Sequence, residues 1–221
     1  MSTVVVEGDV VHIPAWVVDL DSFRRWGESH NFPESGRVGY LNGEVWVDMS
    51  KEQLFSHLLV KSQYNMVLGR LAEKEKPGLY FPDGLFLTNL AVGFSWKPDG
   101  TFVSMESLQG GLVKLVEGEE GGFVELEGSP DMVLEIVSRS SVHKDTVELR
   151  QAYWEAKIRE YWLVDARREP LRFDILRHSP KGYVATRKQG GWVKSGVFGN
   201  FFKLSQDSSG LGHPQFTLSV R

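Results

Sequence analysis

Three carboxylates occupy positions where a carboxylate is either costly or aimed. Glu135 interrupts the apolar run Met132-Val-Leu-Glu-Ile-Val, Asp99 follows Lys97-Pro98, and Glu44 follows the turn pair Asn42-Gly43. An isolated buried charge is too expensive to keep, so Glu135 must be paired, metal-bound or protonated. Converging carboxylates of this kind hold one or two cations that polarise a phosphate and lower the pKa of an attacking water, as magnesium-dependent phosphodiester hydrolysis requires. A nearby lysine orients that water or offsets the developing charge. Each residue also has a plain structural reading. Asp99-Gly100 could enter a hairpin, Glu44 could face solvent from a strand, and Glu135 could meet a buried basic partner. His57, beside Leu58 on a helical stretch, has the pattern of a hydrogen-bonded core histidine.

Composition narrows the metal. The chain of 221 residues has no cysteine, which removes disulfides and thiolate sites and leaves carboxylate, imidazole and carbonyl oxygen as ligands. A hard cation, Mg²⁺ with Mn²⁺ as the alternative, suits that donor set. No secretory leader pattern or membrane-length apolar window is present, so a cytoplasmic protein without membrane contact is expected. With 25 Lys+Arg against 29 Asp+Glu the net charge is −4, which argues against non-specific coating of nucleic acid. A single local basic patch remains compatible with it.

The elements that must position these residues follow from patterning. A β-rich start over residues 4–13 precedes a short capped helix near Asp19, and Tyr40-Leu-Asn-Gly-Glu-Val-Trp-Val predicts a hairpin, because Asn-Gly supplies the positive φ angles of a two-residue turn. Helical spacing of Leu54, Leu58, Tyr64, Leu68 and Leu71 predicts a long helix over 51–76, stopped by Pro77-Gly78. Residues 79–90 read as strand broken at Asp83-Gly84, and 101–104 as a short strand. Residues 109–128, with six glycines and five glutamates, read as an exposed hairpin or flexible insertion. Residues 132–137 predict a central strand, 145–157 a helix and 161–164 a second buried strand, together a parallel crossover. Later strands are predicted at 171–176, 183–186, 192–197 and 216–220. One domain over 1–221 is expected, an α/β mixed sheet flanked by helices with additional antiparallel strands.

Taken as a set, Lys97-Pro-Asp-Gly-Thr-Phe-Val-Ser, Ser129-Pro-Asp-Met-Val-Leu-Glu-Ile-Val-Ser, Lys144-Asp-Thr-Val-Glu-Leu-Arg-Gln-Ala-Tyr-Trp and Glu160-Tyr-Trp-Leu-Val-Asp resemble a bacterial family of predicted restriction endonucleases in the PD-(D/E)xK nuclease superfamily. The resemblance covers roughly residues 38–175 and includes Leu41-Asn-Gly-Glu-Val and His57. It implies a restriction-endonuclease-like core, with Asp99 and Glu135 as metal ligands and Glu44 and His57 bordering the cleft. Two positions depart from the pattern: the superfamily lysine slot is Val137, and the family's helix lysine aligns with Leu149. Lys144 and Arg150 are the cations left on this stretch. Lys144 reaches the carboxylates if the 140–143 loop folds back, or else precedes an Asp145 helix cap. Tyr153, on the helix side it shares with Leu149 and Ala156, and the strand aromatics Tyr161 and Trp162 are expected to pack as scaffold.

The leading function on this reading is a Mg²⁺-dependent DNA endonuclease using Asp99, Glu135, Lys144, Glu44 and His57, with Glu44 as a third metal ligand. A nuclease fold that has lost catalysis and binds DNA or a protein is the alternative. A small-molecule hydrolase has no motif in its favour, since Gly-x-Ser-x-Gly, phosphate-loop and His-Glu-x-x-His patterns are all missing. Homodimerisation is compatible with cutting both strands.

Overall fold

The computed structural model describes residues 2–6, 9–74, 78–119, 121–208, 210 and 212–221, with side chains from residue 11 onward. An antiparallel pair, β1 (Ser2–Val6) and β2 (Asp9–Ile13), leads to helix α1 (Leu20–Gly27). A capping box starts α1: the Asp19 carboxylate accepts the Ser22 N–H at 2.8 Å, and the Ser22 hydroxyl accepts the Asp19 N–H at 2.9 Å. Strands β3 (Arg37–Leu41) and β4 (Glu44–Asp48) form the expected hairpin, with Asn42 at φ 54° and Gly43 at φ 80°.

The long helix is not regular from end to end. It opens as a π-helical turn, Leu54–Leu59, and continues as α2 (Val60–Lys74). Such a turn adds a residue to the helical repeat and re-aims the side chains it carries. The stop signal at Pro77 lies outside the described residues. Then follow β5 (Gly78–Pro82), β6 (Phe86–Asn89), β7 (Phe94–Trp96), β8 (Gly100–Ser104), the short α3 (Met105–Gln109), β9 (Val113–Glu117), β10 (Phe123–Gly128) and β11 (Met132–Ile136). A second π-helical turn, Lys144–Glu148, runs into α4 (Leu149–Glu155) and then β12 (Glu160–Asp165). The remainder is β13 (Arg172–Arg177), β14 (Val184–Ala185), β15 (Lys188–Gln189), β16 (Trp192–Lys194), β17 (Phe201–Ser208) and β18 (Pro214–Val220).

Two six-stranded mixed sheets dominate, in orders β14-β13-β12-β11-β8-β5 and β4-β3-β7-β6-β10-β9, and β15 to β18 form a separate antiparallel sheet. Strand β11 is buried along its whole length, pairs parallel with β12 and antiparallel with β8, and is therefore central. Met132, Leu134 and Ile136 pack with Val60, Tyr64 and Leu68 of α2. Val133 packs with Leu149, Ala152 and Tyr153 of α4 on the opposite face, the face Glu135 shares by strand alternation.

The chain crosses between the two large sheets twice near the candidate residues. It leaves β5 for β6 through Asp83-Gly84, and β7 for β8 through residues 97–99. Asp83 and Asp99 therefore lie on the seam. Residues 109–128 are less detached than their glycines suggest: β9 and β10 extend the second sheet by a parallel pairing to β6, Leu126 is fully buried, and Arg24 engages Glu125 and Glu127. Among the described residues, no helix is long and apolar enough to cross a membrane.

Candidate active site

Asp99 lies fully buried on the seam and collects donors from three directions. Arg37, at the start of β3, hydrogen-bonds its Oδ1, and the Lys61 ammonium from α2 stands 3.2 Å from the same oxygen. The Ile136 N–H donates to Oδ2 at 2.7 Å, and His57 Nε2 from the first π-helical turn is 3.7 Å away. Burial alone would raise the Asp99 carboxyl, but the Arg37 and Lys61 charges outweigh it and hold the group well below the usual carboxylate range.

The two cations are shared. Arg37 and Lys61 each stand 3.0 Å from Glu52, and both bridge to Asp83, Lys61 at 2.8 Å and Arg37 at 3.4 Å. His57 Nδ1 lies 3.4 Å from Glu52 Oε2. Donor atoms of Glu52, His57 and Asp99 fall within 4.8 Å of one another, a spacing that one metal ion can span. Lys61 follows His57 by four residues and so shares its helix face, a signal present in the sequence. Arg37, Glu52 and Asp83 carry no such signal, because they come from a strand start and two loops that meet only in the fold.

Glu135 lies on the strand that pairs with β8. The β8–β11 register ends at Gly100 with Leu134, so Asp99, in the bend just before β8, and Glu135 are the next residue on each side, near enough for the Asp99 charge to act on Glu135. Glu135 Oε1 accepts the Tyr153 hydroxyl at 2.7 Å, whereas Oε2 has no hydrogen-bond partner among the described residues. Burial pushes its pKa up to about 8; Lys144 opposes the rise, and Asp145 and Asp99 add to it.

Lys144 and Asp145 sit on the second π-helical turn, both buried and in direct ion-pair contact. Asp145 is no helix cap: its carboxylate takes the Lys144 ammonium and the Ser141 hydroxyl inside the turn. The Lys144 ammonium also lies 4.5 Å from the centre of the Trp96 ring. Tyr153 is more than scaffold, since it is the side chain that holds Glu135.

A cleft of about 460 Å³ opens onto this assembly, walled by Arg37, Asp48, Glu52, His57, Lys97 and Lys144 among others. Of the residues expected at the site, His57 and Lys144 line this cleft, and Asp99 and Glu135 lie fully buried behind it. Glu44 stays apart, exposed beside the Asn42-Gly43 turn, and among the described residues no hydrogen bond or ion pair links it to the others. The carboxylate that this hairpin brings to the cleft is Asp48, at the far end of β4. Val137 and Leu149, aligned with lysine positions, are buried in one apolar cluster.

A family model described as "Putative restriction endonuclease" matches residues 20–215. The chain belongs to the Uma2 family. The Uma2 chain also shares its fold with the crystal structure of a putative nuclease belonging to DUF820 from Anabaena variabilis, at TM-score 0.60 and 16% identity, covering 82% of this chain and 91% of that one. No curated protein matches it. In this Uma2 chain both π-helical turns border the cleft, one carrying His57 and the other Lys144.

Proposed function

We propose that the protein is a divalent-metal-dependent DNA endonuclease that hydrolyses phosphodiester bonds, with Asp99 and Glu135 as the two carboxylates of a PD-(D/E)xK arrangement. The observation that carries this reading is the placement of the two acids where β8 and β11 pair, Asp99 just before β8 and Glu135 on β11, behind a cleft walled by Arg37, Lys97 and Lys144. The donor set suits a hard cation: Glu52, His57 and Asp99 cluster within 4.8 Å. Two buried polar atoms, Glu135 Oε2 and His57 Nδ1, also lack hydrogen-bond partners among the described residues.

Glu52, His57 and Asp99 would hold the ion, and Glu135, outside that cluster, would join them from β11. Mg²⁺ or Mn²⁺, when bound, polarises a phosphate and acidifies water. Glu135 must shed its proton to serve as a ligand, which couples occupancy to pH. Lys144 takes the part of the lysine missing at Val137 and Leu149, offsetting charge at the phosphate, and Arg37, which also lines the cleft, does the same.

A second reading, a nuclease fold that binds without cutting, is favoured by one observation: Val137 and Leu149 fill the usual lysine positions with buried apolar side chains. Relaxation of supercoiled plasmid decides between them. Nicking should require Mg²⁺ or Mn²⁺, stop in chelator and fall to background in Asp99→Asn. Undiminished nicking by that variant would overturn the endonuclease reading, and duplex binding with no metal-dependent nicking by the native chain would establish the second.

A further inference from the structure

Next to the cleft lies a second hollow of about 630 Å³ that shares His57 and Ser138 with it. Its charged lining is Arg139, Arg167, Arg168 and the single carboxylate Glu169. In a chain with net charge −4, three guanidiniums against one acid is a marked local reversal. Arg139 and Arg168 are exposed and make no ion pair among the described residues. Glu169 is engaged in its own turn, accepting the Leu171 N–H at 3.2 Å.

One of the arginines and the loop that carries another are held in place. Arg167 forks onto Asp165, with Nε at 2.9 Å and Nη2 at 2.7 Å, which fixes its guanidinium at the end of β12. Arg139 is carried on a pinned loop: the Ser138 N–H donates to the Ser141 hydroxyl at 2.8 Å, and the Ser140 hydroxyl donates to Asp48 at 2.9 Å. The cost of ordering the 138–141 loop and the Arg167 flank is thus already met before binding. A polymer that leaves the cleft past His57 and Ser138 enters this hollow next.

We propose that the hollow is a phosphate subsite that grips the backbone of the substrate strand beyond the scissile phosphate, with Arg139 and Arg168 as direct contacts and Arg167 as a fixed flank. This deepens the endonuclease reading and rests on it for the strand's direction of travel. Phosphate contacts carry affinity and salt dependence and place the strand without reading sequence.

The test is anisotropy of a labelled DNA duplex with the full chain in chelator, over a salt series. Arg139→Gln and Arg168→Gln should each reduce the slope of log affinity against log salt by about one, and Arg70→Gln, far along α2, should leave it unchanged. With metal, the double variant should raise KM and leave kcat intact. A double variant with native slope and native KM overturns the subsite while leaving cleavage standing. No cleavage by any chain, together with the reduced slope, removes the endonuclease reading and keeps the subsite as a nucleic-acid contact. Failure of the native chain to bind duplex overturns the proposal. So does saturable binding of inorganic phosphate that needs both arginines while duplex affinity does not. Unchanged melting temperatures would exclude misfolding of these surface variants.

Discussion

Asp99, just before β8, and Glu135, on the paired β11, live in opposite surroundings. Asp99 is met by a guanidinium, an ammonium and a backbone N–H. Glu135 is met by one phenol and otherwise by burial, with one oxygen unpartnered among the described residues. The first is held ionised and the second is pushed up to about 8. Two carboxyls whose ionisations are driven apart in this way take different tasks. Asp99 is a permanent anion that organises the cations around it. Glu135 changes charge near neutral pH, and in the proposed metal site it would serve as a ligand only when deprotonated.

Replacing Asp99 should therefore do the most damage. Asp99→Ala takes the fully buried counter-charge from Arg37 and Lys61 and leaves them only the more exposed Glu52 and Asp83, a loss of up to about 3–5 kcal/mol for one partner of a buried network. Glu135→Gln should be nearly neutral at pH 6, because the amide matches the protonated acid and keeps an acceptor for Tyr153. Urea unfolding of both variants at that pH checks the contrast. Equal losses would mean the two sites are not distinct in charge.

The pH profile sharpens it further. Between its ordinary value of 4.5 and about 8, Glu135 keeps its proton in the folded chain and loses it in the unfolded one. The native state then binds more protons, so stability falls as pH rises through that window, by up to about 1.4 kcal/mol per unit. Asp99 has the opposite sign: its contribution is present above its ordinary value of 3.8 and is lost as pH falls through the depressed native value. Unfolding midpoints from pH 5 to 9 should slope downward in the native chain and lose that component in Glu135→Gln. Added Mg²⁺ should raise the midpoint most at the alkaline end, where the carboxylate is free to bind.

The two sides were unequally legible in the sequence. The Glu135 side is local: an acid in an apolar strand, a crossover helix and a returning strand all lie within residues 132–165, and each has its own pattern. Asp99 was visible as a residue, but its partners were not. Arg37, Glu52 and Asp83 converge because the chain changes sheets at the seam, a tertiary event without local periodicity. The π-helical turns escaped for a related reason, since a repeat tuned to 3.6 residues reads straight through an inserted one. Strand β17 was missed because Lys203, Ser205, Gln206 and Asp207 dilute its apolar signal, while its pairing with β18 runs over seven residue pairs. Glu44 misled because Asn42-Gly43 fixes a turn and says nothing about which way the hairpin's ends face.

Lys144 bears on whether the Glu135 side is catalytic at all. Its ammonium is the largest opposing influence on the Glu135 shift and stands on the cleft wall. Lys144→Met should lower plasmid nicking by roughly 100-fold, a loss typical of removing one donor to developing charge, and Lys144→Arg should restore part of it. Full activity in the methionine variant would leave Arg37 and Lys97 as the phosphate-facing cations and confine Lys144 to holding Asp145.

The smallest change tests how Glu135 is held. Tyr153→Phe removes one hydroxyl and leaves Glu135 Oε1 buried without its donor, a loss of about 1–3 kcal/mol. The same change removes a hydrogen bond that stabilises the carboxylate, so the Glu135 proton should be held to higher pH. The metal-dependent rise in unfolding midpoint should then move to more alkaline pH in Tyr153→Phe. In a variant of equal stability loss elsewhere in the same cluster, Ala152→Gly, it should stay in place. A shift in both would show that the response follows general loosening of α4, and a shift in neither would show that the phenol packs against Glu135 without tuning its charge.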